Sequence, residues 1–208
     1  MALRAQHGVD FTVDVLRAAP PASLSWCALG PLTNIATALL KAPDIVSGVR
    51  DLVLMGGASR ALGNVTPAAE YNIHANPHAA ETVFASCMPI TMIPLDVTHQ
   101  VRSTPDRIAR IAAIGSPVAL AVAELLRPTG DHPDALYDPC VIAYLLAPGL
   151  FEGSRVNVAI ECESPLTLGM TVVDWRGVSG RPANANVLHT VDADGFYALL
   201  QDRLRSLG

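Results

Sequence analysis

Hydrophobic positions along the chain follow two alternating spacings. Continuous apolar runs of strand length lie at 24–29, 51–55 and 90–94, and the segments between them repeat their apolar residues at helical period. The predicted helices cover 11–16, 33–41, 77–86, a segment starting at Thr104, 117–126, 138–146 and 191–207. Because parallel strands joined by helices produce this alternation, the pattern predicts an α/β fold with an open, mainly parallel sheet flanked by helices.

Three other segments complete the predicted architecture. Residues 156–160 and 166–173 alternate apolar and polar side chains, which predicts a small hairpin at the sheet edge. Residues 58–75 form a connection longer than usual, and such loops commonly carry function. A polar loop is predicted at 128–133. Since no repeat or linker interrupts the pattern, we expect residues 1–208 to form a single domain.

Composition and charge exclude several classes of function. Half of the residues are hydrophobic and only 16% are charged, which predicts a packed chain. The net charge is −5 and no Lys/Arg run is present, so a nucleic-acid partner is excluded. No apolar stretch is long enough to span a bilayer, and the chain starts without a signal-peptide pattern, so a cytoplasmic protein without a membrane partner is expected. The four cysteines lack Cys-x-x-Cys spacing and are expected to be reduced and buried.

Polar residues that follow the predicted strands are the candidates for chemistry, because ligands of open α/β sheets bind beyond the carboxyl ends of the strands. In the long loop, Asn64, Glu70 and Asn72 offer two amides and a carboxylate, a set suited to the hydroxyls of a sugar. The alternative is that Asn64 ends a turn and that the other two side chains are simply exposed.

Carboxylates outside that loop have equally open interpretations. Asp138, which precedes Pro139, is suited either to capping a helix or to binding a hard cation. One carboxylate does not make a calcium site, since calcium takes about six to eight oxygens. Asp96 and His99 are interpreted as a structural pair without a catalytic role. A dinucleotide-binding function is disfavoured because no glycine-rich phosphate turn follows the first strand.

Five motifs occur in order and span most of the chain. They are Ala-Leu-Gly-Pro-Leu-Thr-Asn-Ile-Ala at 28–36, Leu-Met-Gly-Gly at 54–57, Gly-Asn-Val-Thr-Pro-Ala-Ala-Glu-Tyr-Asn at 63–72, Leu-Asp-Val-Thr-His-Gln at 95–100 and Gly-Met-Thr-Val-Val-Asp at 169–174. Together they strongly resemble the inosine–uridine-preferring nucleoside hydrolase family. The resemblance implies the Rossmann-like fold of that family, here lacking its first strands.

The resemblance also implies an activity, the hydrolysis of the N-glycosidic bond of ribonucleosides to ribose and free base. In that family a calcium ion chelates the ribose 2′- and 3′-hydroxyls together with a water molecule, which attacks the anomeric carbon. The backbone carbonyl of Leu29 and the carboxylate of Asp138 resemble calcium ligands. The implied cofactor is therefore Ca²⁺, and the implied partner is a small ribonucleoside.

Four further residues resemble parts of the substrate site. Asn64 and Glu70 match residues that bind the ribose 5′-hydroxyl, and Asn72 matches the residue at the 3′-hydroxyl. Met55 resembles a residue that lines the ribose. Tyr137 stands where many members have a histidine proposed to protonate the leaving base, and a phenol with an ordinary pKa of about 10 is a poorer acid at neutral pH.

One departure from the family concerns its amino-terminal Asp-x-Asp-x-x-x-Asp-Asp motif, which supplies most calcium carboxylates and the general base. Nothing in this sequence matches it. We therefore expect the chain to correspond to the carboxyl-terminal part of such an enzyme, inactive by itself, with Tyr137 and Asp138 as its catalytic residues. We also expect homo-oligomers, since missing strands would expose a sheet edge. The alternative is a non-catalytic remnant that binds ribosyl compounds or serves oligomerisation.

Overall fold

The fold is an α/β arrangement with one six-stranded mixed sheet, as predicted. The computed structural model describes residues 5–127 and 134–207, so the predicted loop at 128–133 lies outside the described residues. The strands are β1 (Leu24–Ala28), β2 (Val49–Met55), β3 (Ile90–Ile93), β4 (Phe151–Ile160), β5 (Thr171–Asp174) and β6 (Ala185–Val191). Their order is β1-β2-β3-β6-β4-β5; the first four strands in this order are parallel, and β4 is antiparallel to both of its neighbours.

Helices cover both faces of the sheet. They are α1 (Gly8–Ala18), α2 (Thr33–Lys41), α3 (Tyr71–His74), α4 (Pro77–Phe84), α5 (Leu95–Thr98), α6 (Pro105–Ala112), α7 (Pro117–Leu125), α8 (Pro139–Leu146) and α9 (Ala193–Ser206), with short 3₁₀ turns at Pro43–Gly48 and Pro148–Leu150. In β2, Leu52 and Leu54 belong to one hydrophobic core, and Val53 and Met55 belong to the other. Successive side chains of a strand point to opposite faces, so β2 is buried on both sides and directs its carboxyl end between the two helical layers.

Four helices begin with the same sequence form, a polar residue followed by proline. Asn76, Thr104 and Ser116 cap α4, α6 and α7, because each side chain accepts a hydrogen bond from a backbone N–H of the first turn. Asp138 stands in the same position before α8, yet its side chain makes no capping hydrogen bond. Its carboxylate is therefore free for another use.

The central strand β6 was not predicted. The sequence pattern extended the last helix from 191 to 207, whereas Val191 ends β6 and α9 begins at Ala193, after Asp192 accepts a hydrogen bond from the Gly195 N–H at 2.9 Å. Polar residues within the strand hid its apolar pattern. The predicted edge hairpin is confirmed as β4 and β5, although β4 begins earlier, at Phe151, because it also pairs with β6. The second strand was predicted at 166–173, whereas β5 begins only at Thr171, after a turn.

The cysteines are free, as expected, but not all of them are buried. Cys140 is buried, Cys27 and Cys162 are partly buried, and Cys87 is exposed in the turn after α4. Cys87 also has a φ of 61°, a conformation that belongs to turns. The expectation of a buried thiol at that position was therefore wrong, since the apolar run around it had suggested a core position.

The sheet ends at β1, whose outer edge has no partner strand among the described residues. An apolar groove of about 500 Å³ lies between α8 and α9 and is lined also by Leu29, the residue that follows β1; it is here called the α8/α9 groove. Its walls include Ile142 and Leu146 of α8 and Leu199 and Leu200 of α9, and it ends at Leu29 and Asp138. An unpaired strand edge and an apolar groove each favour association with another chain.

We therefore expect the chain to self-associate in a concentration-dependent manner, measurable by sedimentation velocity. Leu146→Glu should shift the distribution toward monomer, because a charge in the α8/α9 groove opposes its burial. Leu166→Glu is the matched control, since Leu166 is 87% exposed and lies outside the groove. A monomer at high concentration in the unmodified chain would contradict this expectation.

Candidate functional site

A polar pocket of about 590 Å³ lies beyond the carboxyl ends of β1 and β2. It is lined by Leu29, Met55, Asn64, Val65, Glu70, Tyr71, Asn72, Tyr137 and Asp138. All seven residues chosen from the sequence thus line one pocket, and its volume suits a small-molecule ligand. Val65 and Tyr71 also line the pocket but were not predicted as site residues. Both lie inside the motif at 63–72, which could have identified them.

Glu70 lies buried at the base of this pocket, with 2% of its surface exposed. Its Oε2 accepts hydrogen bonds from the N–H groups of Gly57 at 2.9 Å and Asn72 at 2.9 Å, so the side chain caps α3 and ties it to the end of β2. Burial raises the pKa of Glu70 although these amide bonds oppose the rise, and the charge of Asp138 raises it further. The alternative of an exposed loop residue is therefore wrong.

The two asparagine amides each have one end bound within the protein. Asn72 Nδ2 donates to the Met55 carbonyl at 3.0 Å, and Asn64 Oδ1 accepts from the Tyr71 N–H at 2.9 Å. The remaining groups are the side-chain carbonyl of Asn72, an acceptor, and the NH₂ of Asn64, a donor. Asn72 is itself buried, so its orientation is fixed by the end of β2. The pocket therefore offers a ligand both kinds of hydrogen bond.

The long loop that contributes Asn64 is held by side chains distant in sequence. The carboxylate of Asp96 accepts hydrogen bonds from the N–H groups of Ser59 at 2.8 Å and Arg60 at 2.7 Å. The structural role predicted for Asp96 is confirmed, but its partners are backbone amides of the loop instead of His99. His99 packs its ring edge-on against Tyr137, with 6.1 Å between the ring centroids.

Two oxygen donors lie where the polar pocket meets the α8/α9 groove. The carboxylate of Asp138 is free of capping bonds, and no described residue donates a hydrogen bond to the backbone carbonyl of Leu29. A carboxylate and a carbonyl are the donor types that calcium prefers. They fit a hard cation, but calcium requires about six to eight oxygens, more than these two residues supply.

Burial raises the pKa of Asp138, which yields a prediction about stability. The folded chain holds this proton more tightly than the unfolded chain, so Asp138 contributes stability at acidic pH and loses it as the pH rises through the raised pKa. In calcium-free buffer at neutral pH we expect the Tm of Asp138→Asn to be a few degrees higher than that of the unmodified chain. At acidic pH this difference in Tm should become smaller. Scanning calorimetry at both pH values checks this, and a lower Tm of the variant at neutral pH would contradict it.

Tyr137 lies partly buried beside Asp138. Burial raises the pKa of its phenol, and the negative charge of Glu70 raises it further. The phenol therefore stays protonated at neutral pH. It can donate a hydrogen bond to a ligand, and it is a weaker acid than a histidine would be.

The fold and the pocket together define a class: an α/β protein with a pocket lined by amide and carboxylate groups beside two oxygen donors of the kind that hard cations take. The model of the inosine-uridine preferring nucleoside hydrolase family matches residues 1–198. The chain belongs to this family.

Individual relatives agree with that assignment. An uncharacterized protein of Schizosaccharomyces pombe is 46% identical over 209 residues, covering 97% of this chain and 67% of the relative. The pyrimidine-specific ribonucleoside hydrolase RihA of Shewanella sp. (strain ANA-3) is 50% identical over 184 residues, covering 84% of this chain and 58% of the relative. The structure of the purine-preferring ribonucleoside hydrolase from Gardnerella vaginalis matches with a TM-score of 0.85 at 30% identity. The match covers all of this chain and 68% of the Gardnerella chain.

The chain thus spans between about three-fifths and two-thirds of the length of these relatives. In the described part of the chain, no helix combines the length and apolarity needed to cross a bilayer.

Proposed function

We propose that this chain forms the ribose-binding part of a ribonucleoside hydrolase and that it is completed by a segment supplying further carboxylates. The observation that carries the proposal is the polar pocket, which is lined by all seven residues matched to the family by resemblance. One of them, Asp138, has a carboxylate that makes no capping hydrogen bond. RihA and the Gardnerella enzyme are named as ribonucleoside hydrolases, which supports the reaction.

The residues of the pocket have complementary tasks in this reaction. The free carbonyl of Asn72 accepts a hydrogen bond from a ribose hydroxyl, and the free NH₂ of Asn64 donates one to the 5′-hydroxyl. Both amides are fixed by the protein, so the sugar is oriented without further ordering of these side chains. As the glycosidic bond breaks, positive charge develops on the sugar, and the carboxylate of Glu70, which lines the same pocket, stabilises that charge.

The proposed cofactor is calcium, for which Asp138 and the Leu29 carbonyl are the ligands in this chain. Bound there, calcium would offer coordination positions for ribose hydroxyls and would lower the pKa of a bound water molecule. The general base and the remaining oxygens belong to the segment that carries the Asp-x-Asp-x-x-x-Asp-Asp motif. Tyr137 donates a hydrogen bond to the departing base. A cytoplasmic role in nucleoside salvage, as a homo-oligomer, is the setting we propose.

The proposal is tested by measuring ribose release from uridine and inosine, with calcium and with a chelator. The chain alone is expected to release no ribose at an enzymatic rate. The chain joined to an amino-terminal segment that carries an Asp-x-Asp-x-x-x-Asp-Asp motif is expected to release ribose and to lose this activity with the chelator. Enzymatic release by the chain alone would show that a side chain of this sequence acts as the base.

The alternative, a non-catalytic ribosyl-binding or oligomerisation module, has a different signature. In this case the joined protein would fold and would bind calcium and ribose in calorimetry, but it would release no ribose from nucleosides. That result would favour the non-catalytic module and overturn the proposal of an enzyme.

A further inference from the structure

A second group of possible metal ligands lies away from the polar pocket. His78, Glu81 and Cys162 each present one ligand atom, and these atoms all lie within 4.8 Å of one another. None of the three lines the polar pocket. His78 and Glu81 are exposed, and Cys162 is partly buried, so the group opens to solvent on the outer surface of α4. We call it the His78/Glu81/Cys162 triad.

The helix supplies two of the ligands from one face. His78 and Glu81 stand three residues apart on α4, and this spacing makes their side chains neighbours on the helix surface. The position of α4 relative to β4 is fixed by Asn184, whose Nδ2 donates to the carbonyls of Phe84 at 3.1 Å and Val158 at 2.9 Å. The helix therefore holds its two ligands at a constant place beside the end of β4.

The third ligand comes from a turn that directly follows β4. The carboxylate of Glu161 accepts hydrogen bonds from the N–H groups of Glu163 at 2.8 Å and Ser164 at 3.0 Å, which closes the turn around Cys162. The Gly169 N–H donates to the Glu161 carbonyl at 2.8 Å and anchors the far end of the segment. The backbone of Cys162 is thus held, and its partly buried side chain packs against the neighbouring hydrophobic core.

The donor set selects a class of metal. Imidazole nitrogen, carboxylate oxygen and thiolate sulfur are the zinc ligands of proteins, whereas calcium binds oxygen alone. Tetrahedral bonds of about 2.0 to 2.3 Å place neighbouring donor atoms roughly 3.3 to 3.6 Å apart. The ligand atoms of the triad lie within 4.8 Å of one another, and rotation of the exposed His78 and Glu81 side chains can bring them to this spacing. Three protein ligands leave the fourth position to water.

We propose that the triad binds Zn²⁺ or a similar divalent transition metal and thereby joins α4 to the turn after β4. On binding, the Cys162 thiol gives its proton to the solvent and forms the metal–sulfur bond, while His78 and Glu81 displace water from the hydrated ion. The carboxylate of Glu81 lies within 4.8 Å of the other two ligand atoms, and its negative charge also attracts a cation.

Cobalt(II) absorption and zinc calorimetry on the whole chain, under reducing conditions at neutral pH, test the site. The unmodified chain should show a thiolate-to-cobalt charge-transfer band and bind about one Zn²⁺ per chain. Cys162→Ser should remove the band, and His78→Ala should weaken zinc binding at least about tenfold. Cys87→Ser is the matched control, because Cys87 is an exposed thiol outside the triad, and it should keep both signals.

The metal should also raise the Tm of the unmodified chain, with no such rise in Cys162→Ser. The proposal is overturned if the unmodified chain shows no charge-transfer band, if Cys162→Ser keeps the band, or if Cys87→Ser removes it. Circular dichroism of each variant distinguishes loss of a ligand from loss of the fold. None of these readouts depends on nucleoside hydrolysis, so they stand apart from the proposed enzyme.

Discussion

Asn72→Ala is expected to lower kcat/KM of the completed enzyme, the chain joined to an Asp-motif segment, by about 30- to 1,000-fold. The substitution removes the side-chain carbonyl that we propose accepts a hydrogen bond from the sugar, and it also removes the NH₂ group that donates to the Met55 carbonyl. Orientation of the ribose and stabilisation of its developing charge both depend on this group. Steady-state kinetics with uridine and inosine measures the loss.

Two variants accompany this experiment. Tyr137→Phe should lower kcat/KM less than Asn72→Ala, because the phenol contacts the departing base and solvent can assist protonation there. Asn157→Ala is the control amide, since its side chain bonds to the Pro182 carbonyl outside the pocket, and its activity should be unchanged. If Tyr137→Phe were the more damaging change for both substrates, the phenol would be the essential acid and the roles proposed for the pocket would be wrong.

Glu70→Ala is expected to lower the free energy of unfolding of the chain itself by about 3 to 5 kcal/mol. The substitution leaves the N–H groups of Gly57, Asn72 and Ile73 without their acceptor, and each buried unpaired amide costs roughly 1 to 3 kcal/mol. Gly57 has a φ of 80°, a conformation that glycine adopts easily, so the backbone of this turn is not strained. The expected loss of stability therefore comes from the N–H groups that lose their acceptor. Urea denaturation followed by circular dichroism gives the value.

The controls for this variant separate charge from hydrogen bonding. Glu70→Gln keeps one acceptor oxygen and should lose less stability than Glu70→Ala. Glu124→Ala removes an exposed carboxylate that pairs with Arg127, and it should cost less than about 1 kcal/mol. Equal stability of Glu70→Ala and Glu124→Ala would show that the bonds of Glu70 do not hold the loop.

The parts of the fold that could be predicted from sequence are those with an uninterrupted physical signal. β2 and β3 are buried on both faces and therefore appear as continuous apolar runs. β6 is just as central, but Asn186, His189 and Thr190 interrupt its pattern, and its last residue was assigned to the following helix. The single-turn helices α3 and α5 are too short to show any helical period, so they were not found.

The site was predictable from its motifs and not from single residues. Asp138-Pro139 has the form of a capped helix start, and only the structure distinguishes it from the starts at Asn76 and Thr104, which do cap. Glu70 was assigned to the sugar from the motif, yet its burial beneath the pocket and its bonds to backbone amides depend on how the loop folds onto β2. Such contacts join residues across the chain, and no local pattern encodes them.

Leu29 and Asp138 line both the polar pocket and the α8/α9 groove, so the two cavities share a wall. A cation held at that wall and a chain seated in the groove then contact the same two residues, and their binding equilibria become thermodynamically linked. Any factor by which an occupied groove changes calcium affinity at the proposed site must equal the factor by which calcium changes occupation of the groove. Under this linkage the apparent calcium affinity of the proposed site depends on the concentration of whatever covers the groove.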